Sequence, residues 1–283
     1  MPFRYFSTLL LLLFSMRLVA QPMFDVHLHY SEEDARHFSP QQIIHLLDIN
    51  DIPYAAVTGT PVTHVSKLYH LAPERIVPIL GLYRHSEEKS SWANDETLIP
   101  YLEKELERGY WRGIGELHIF ADDRHSEVFY KVIALASKWQ LPLMIHGDPA
   151  VIDKVYELAP NQSIIWAHAG KYPYPDLISD YLNRYPDLLI DVSMRDGRIA
   201  PNGIINDERY ELFVTYPNRF LVGVDTFSTT RWQIFNTAAK EIRNWLKQLP
   251  AEVALQLAYS NAAKLYKKPV LFNGKDKIKA ISD

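Results

Sequence analysis

Met23-Phe24-Asp25-Val26-His27-Leu28-His29 is an apolar run that closes on two histidines one residue apart. Side chains alternate faces along an extended strand, so His27 and His29 point one way and Val26 and Leu28 the other. Two imidazoles then stand where they can close on one ion. The design recurs in Gly113-Ile114-Gly115-Glu116, Leu143-Met144-Ile145-His146, Ile164-Ile165-Trp166-Ala167-His168 and Leu221-Val222-Gly223-Val224-Asp225. Each is a short apolar segment ending in a side chain that binds cations.

Working outward, strands are predicted over 23–29, 53–59, 76–83, 112–118, 141–146, 163–168, 187–193 and 220–225. Helical patterns lie between them at 40–49, 62–72, 95–108, 126–139, 149–158, 175–185, 207–216 and 231–248, where the last spaces Ile234, Ala238, Ile242, Trp245 and Leu249 at three-to-four intervals. Strict strand–helix alternation implies a parallel sheet, and eight repeats imply closure into an α/β fold of the (β/α)₈ TIM-barrel type. Strands without polar alternation agree, because barrel strands are buried on both faces. An open doubly wound sheet would give no reason for ligand residues on the first, fourth, fifth, sixth and eighth strands to converge. In a barrel they share the carboxyl-terminal face, where active sites are built.

The amino-terminal residues carry Arg4, an apolar core from Leu9 to Phe14, and Leu18-Val19-Ala20 before Gln21-Pro22. This reads as a secretory signal peptide over 1–20, cleaved after Ala20, with a periplasmic or secreted destination. The apolar core is well short of the roughly 20 residues a membrane span needs, so no stable membrane insertion is expected after cleavage. Losing Arg4 and Arg17 leaves 28 of the 30 basic residues against 34 acidic ones and moves the formal charge from −4 to −6. Such a chain is a poor match for nucleic acid. With no cysteine, any metal must be bound by histidine and carboxylate. One undivided domain over 21–270 and a polar tail over 271–283 complete the organisation; oligomeric state is left open.

The ordered motifs resemble the amidohydrolase superfamily, most closely its amidohydrolase-related branch, with a His-x-His on strand one and His168-Ala169-Gly170 on strand six. The ending Asn261-Ala262-Ala263-Lys264-Leu265-Tyr266 is similar to the Asn-Ala-x-x-Leu-(Phe/Tyr) close of that branch. Many binuclear members carry a carboxylated lysine on strand four, whereas this strand reads Gly115-Glu116, as in TatD-like branches. The resemblance implies a binuclear site with His27, His29 and Asp225 on one ion, His146 and His168 on the other, and Glu116 between. If Glu116 does not bridge, one ion held by His27, His29, His146 and Asp225 is the alternative. Oxygen and imidazole donors suit Zn²⁺, with Mn²⁺ a second option.

The resemblance implies metal-activated water attacking a small ester, lactone, amide or phosphoester, with Asp225 as the proton shuttle. A mononuclear decarboxylase of the same branch and a TatD-like nuclease are the alternatives. Glu116 tells against the first, and the acidic charge and predicted export against the second. His118 shares the strand face of Glu116 and reads as a substrate, metal or orienting residue. Arg195 and Lys171, on loops of the same face, are candidates for binding a small-molecule substrate. Trp111, Trp139, Trp232 and Trp245 read as packing between helices and barrel, and His37, His45, His64, His70 and His125 as surface residues.

Overall fold

The computed structural model describes residues 21–269; the predicted leader over 1–20 and the tail over 271–283 lie outside the described residues. Eight parallel strands form in chain order: β1 (Phe24–His29), β2 (Tyr54–Thr58), β3 (Ile76–Pro78), β4 (Ile114–Ile119), β5 (Leu143–Gly147), β6 (Ile164–Trp166), β7 (Leu188–Asp191) and β8 (Phe220–Leu221). Strands β1 to β3 make one ladder and β4 to β8 another. Backbone hydrogen bonds stitch both seams. Between β3 and β4, Arg112 N donates to Pro78 O (2.9 Å), Leu80 N to Gly113 O (2.9 Å) and Gly115 N to Leu80 O (2.9 Å). Between β8 and β1, Val26 N donates to Val222 O (3.0 Å) and Asp225 N to His27 O (2.8 Å). The sheet therefore closes on itself, as the alternating pattern predicts.

Helices α1 (Glu32–His37), α2 (Pro40–Ile49), α3 (Val62–Leu71), α4 (Leu98–Leu106), α5 (Glu127–Trp139), α6 (Pro149–Leu158) and α7 (Pro175–Arg184) are followed by α8 (Asp196–Ile199), α9 (Asp207–Thr215), α10 (Thr229–Gln233), α11 (Phe235–Leu246), α12 (Ala251–Leu255) and α13 (Asn261–Leu265). Local chemistry sets their starts. Ser39 and Gln42 cap α2 reciprocally, with Pro40 at its first position, and Ser126 accepts the Phe129 N–H at the start of α5. Each long helix turns an apolar stripe onto the barrel; for α5 this is Val128, Phe129, Val132, Ile133, Leu135 and Ala136. Trp111, Trp232 and Trp245 are buried in this layer, while Trp139 is partly exposed. No helix among the described residues is long and apolar enough to cross a membrane.

Four boundaries differ from the sequence expectation. The β2–β3 ladder ends at Pro78, and the chain beyond it turns its hydrogen bonds toward β4. Strand β6 stops at Trp166 because His168 and Ala169 take left-handed φ values of 59° and 54°. Strand β8 stops at Leu221 because the Val224 N–H goes to the Asp25 carboxylate and Asp225 has φ 55°. The helix expected over 231–248 starts earlier and divides at Ile234 (ψ 15°), where Trp232 is pinned to His29 O (3.0 Å).

Candidate metal centre

Every strand-end ligand predicted from sequence reaches one place. His27 and His29 come from the end of β1, Glu116 and His118 from β4, His146 from β5, His168 from the turn after β6, and Asp225 from beyond β8. Two glycines permit the approach. A Cβ on Gly115 would stand 2.5 Å from Met144 O, and one on Gly223 would stand 2.8 Å from the Cβ of His27. Four of the eight described non-glycine residues with positive φ, His168, Ala169, Met194 and Asp225, cluster here, as strain does where surrounding structure over-determines the backbone.

The innermost donors lie at the spacing of a coordination polyhedron. His27 Nε2 is 3.1 Å from His29 Nε2, 3.6 Å from Glu116 Oε2 and 3.8 Å from Asp225 Oδ1. His29 Nε2 is 3.4 Å from both of those oxygens. Bonds of about 2.0–2.2 Å in a tetrahedron give edges of roughly 3.3–3.6 Å, so these four atoms fit one divalent cation. Asp225 Oδ1 is buried without a hydrogen-bond partner. Among the described residues no lysine or arginine pairs with Glu116, Asp191 or Asp225; only histidines do. Buried carboxylates without a cation are strongly disfavoured, so the donor set fits a divalent metal.

The second edge of the centre belongs to the other carboxylate oxygens. Glu116 Oε1 is 2.8 Å from His146 Nδ1 and 3.3 Å from His168 Nε2, and Asp225 Oδ2 is 3.5 Å from His168 Nε2. The His168 ring stacks on His27 at 5.0 Å and 18°. His118 Nε2 is 3.5 Å from Glu116 Oε2.

Partners behind these ligands escaped the sequence reading. Asp191, at the end of β7, holds His27 Nδ1 at 2.7 Å and accepts the Ser193 hydroxyl at 2.7 Å. The Ser193 carbonyl and hydroxyl each lie 3.0 Å from His168 Nδ1. Such contacts fix tautomer and ring orientation so that Nε2 faces the carboxylates at the centre. Asp25 accepts the N–H groups of His27 (3.1 Å) and Val224 (3.2 Å), tying β1 to the Asp225 segment. Asp191 carried the same signal as the ligands, an apolar run ending in an acid. Asp25 lies inside the opening motif.

Burial opposes charge on His27, but Asp225, Glu116 and Asp191 outweigh it and hold its pKa well above the ordinary histidine value. Burial likewise opposes ionisation of Glu116, yet His27, His146 and His168 keep its pKa well below the usual carboxylate range. Asp25 is pushed by burial to about 7, against the backbone N–H groups of His27 and Val224 and the pull of the His27 ring. Burial lowers His118 to about 3, against the pull of Glu116.

A cavity of about 940 Å³ opens over the centre, walled in part by Tyr83, Arg84, Met194, Arg195 and Phe227. Arg195 donates to His168 O and Gly170 O, both at 2.8 Å. It therefore braces the His-Ala-Gly turn while lining the cavity. Lys171 stands outside that lining, exposed, with its ammonium 5.4 Å from the Tyr172 ring centre. His37, His45, His70 and His125 are exposed and His64 is half-buried, away from the centre.

A family model described as amidohydrolase matches residues 94–268. The fold is similar to that of an amidohydrolase from Burkholderia multivorans solved with bound HEPES, at 14% identity and a TM-score of 0.53, covering 88% of this chain and all of that one. It is also similar to a TatD homolog from Escherichia coli K12, at 15% identity and a TM-score of 0.59, covering 87% and 98% of the two chains. A TatD family hydrolase from Entamoeba histolytica gives 10% identity, a TM-score of 0.55 and coverage of 87% and 99%. At these identities the structural likeness is one of fold. Among curated proteins nothing matches the chain.

Proposed function

The chain belongs to the amidohydrolase family, and from that premise we propose that it hydrolyses a small ester, lactone, amide or phosphoester with a divalent metal, Zn²⁺ first and Mn²⁺ second. One observation carries the reading: the buried, unpartnered Oδ1 of Asp225 beside the Nε2 atoms of His27 and His29. A divalent cation at these donors would lower the pKa of a water from 15.7 to about 7 and polarise the scissile carbonyl or phosphoryl oxygen.

The residues supply the rest. Asp191 keeps the His27 ring aimed inward, Glu116 stays ionised among its histidines, and Asp225 accepts the proton of the attacking water and returns it to the leaving group. Arg195 stands where it can meet an anionic part of the substrate. Glu116 favours hydrolysis over decarboxylation at a single ion, because its two oxygens face different histidines. The nuclease alternative is disfavoured by the walls, where Arg36 is tied to Glu32 and Glu33, and Arg84 to Glu88 and Asp95. Export to the periplasm or beyond is proposed from the leader over 1–20.

The test is metal analysis of purified protein paired with a panel of lactones, esters, amides, phosphoesters and aromatic acids. Bound divalent metal and hydrolysis of at least one ester-type or amide-type substrate are expected. Turnover of aromatic acids to carbon dioxide alone, or folded protein that takes up no divalent metal, would overturn the reading.

A further inference from the structure

The family resemblance divides the ligands so that His146 and His168 share the second ion, and both do face Glu116 Oε1, but the structure brings a further trio together. Glu116, His118 and His146 present ligand atoms that all lie within 4.8 Å of one another. His168 groups with His27 and Glu116, stacks on the His27 ring and is held from behind by Ser193. We propose that Glu116, His118 and His146 form a second cation position sharing the Glu116 carboxylate with the His27–His29–Asp225 position, and that Tyr83 is the positioning residue that aims His118 into it. The inference rests on the reading that this centre holds divalent metal.

The geometry around His118 argues for a ligand. Its Nε2 faces Glu116 Oε2 at 3.5 Å, and its ring stacks on His146 at 4.5 Å and 26°, which sets the two ring edges side by side. The buried Tyr83 hydroxyl donates to Glu116 O (3.2 Å), accepts the His118 N–H (2.9 Å) and lies 3.1 Å from His118 Nδ1. With its own proton on the carbonyl, that hydroxyl can only accept from Nδ1–H. Nε2, the nitrogen toward Glu116, is then left with its lone pair. Tyr83 thus does for His118 what Asp191 does for His27. The neutral hydroxyl is a weaker aid than a carboxylate.

Exposure separates the two positions further. The side chains of His27, His29 and Asp225 are 0%, 18% and 5% exposed, those of His118 and His146 12% and 31%, so the most buried ligand belongs to the first position and the most exposed to the second. The second position opens onto the cavity, so its ion should bind more weakly and exchange faster, on the side from which substrate arrives.

Metal-free full-length protein titrated with Zn²⁺ alone, in competition with a chelating dye, tests the proposal. Wild type should take up two equivalents, the first tighter. His118→Ala should keep the first with unchanged affinity and lose the second. Tyr83→Phe, which removes one hydroxyl and preserves ring packing, should keep both while weakening the second by about 10–100-fold. Thermal melting checks that each variant is folded; if His118→Ala is not, Tyr83→Phe decides. Uptake of one equivalent by wild type, two wild-type affinities in His118→Ala, or an unaltered second affinity in Tyr83→Phe would overturn the proposal. No uptake by folded wild type would instead remove the metal-dependent reading beneath it.

Discussion

The wall of the centre built by β1, β6, β7 and β8 differs from the wall built by β4 and β5. On the first, each histidine has a buried group behind it: Asp191 behind His27, Ser193 behind His168, and Thr226 bonded to both backbone groups of His29 at 2.8 and 2.9 Å. On the second, His146 is part exposed and His118 leans on one tyrosine hydroxyl. The difference teaches where the charge is compulsory. Asp191 stays ionised on the closed wall because His27 and His168 face it, and a divalent cation at the centre would supply the positive charge that such buried carboxylates need. The open wall is wetter, and a change there costs the fold less.

The largest expected break in that comparison is Asp225→Asn. The amide keeps the shape and still touches the ion, but it cannot accept a proton. Turnover of the best substrate should fall by about 10²–10⁴-fold, the ordinary cost of losing a general base, with most metal retained on His27 and His29. Metal content and kcat measured on the same preparation check this. Turnover within a few-fold of wild type would move the proton-transfer role to His118 or His168.

Asp191→Asn comes next and sharpens the contrast. The amide can no longer favour the His27 tautomer as a carboxylate does, so affinity for the tighter Zn²⁺ should fall about 10–100-fold while the weaker ion is little changed. Chelator competition measures both. Equal weakening of the two ions would mean that the walls act as one unit.

The barrel and the ligands on it were legible because both are written locally. Strand-end position marked His27, His29, Glu116, His146, His168 and Asp225 without knowledge of the partners, since alternation and an apolar run suffice. What stayed hidden is non-local. Tyr83 falls in a stretch read as strand, and its hold on His118, 35 residues along the chain, crosses the β3–β4 seam. Asp25 sits inside the opening motif, yet its role is to receive the Val224 N–H from 199 residues away, which also ends β8 earlier than its apolar run implies. Lys171 and Arg195 read alike as loop cations. Only Arg195 is turned inward, because two carbonyls of the His-Ala-Gly turn capture it.

That capture gives a smaller prediction. Arg195→Met keeps the unbranched stem but leaves His168 O and Gly170 O without their donor, a cost of about 1–3 kcal/mol if they stay buried. Each kcal/mol is roughly 2–4 °C in Tm for a domain of this size class. Because Arg195 also lines the cavity, KM should rise more for a carboxylate-bearing substrate than for its neutral methyl ester. Equal effects on the two would leave Arg195 as a brace alone.

The smallest expected effect lies just behind that loop, at Asp196 on α8. Its Oδ1 accepts the Trp245 indole N–H at 2.8 Å, and burial raises its pKa above the usual carboxylate value, only partly offset by that bond. A carboxyl whose pKa is raised on folding contributes stability that is fully present below the unfolded value, 3.8, and lost as pH rises through the folded value. Glu116 and Asp191 are shifted the other way by their histidines, so Asp196 separates burial alone from burial answered by positive charge. Asp196→Asn keeps the acceptor for Trp245 and cannot ionise. It should therefore match wild type near pH 3 and exceed it at pH 7, by no more than about 1 kcal/mol, the net scale of a single hydrogen bond. Urea unfolding of both proteins across that range reads the difference. A variant less stable at pH 7 than at pH 3, relative to wild type, would show that the ionised carboxylate is favoured there and that burial is not what governs it.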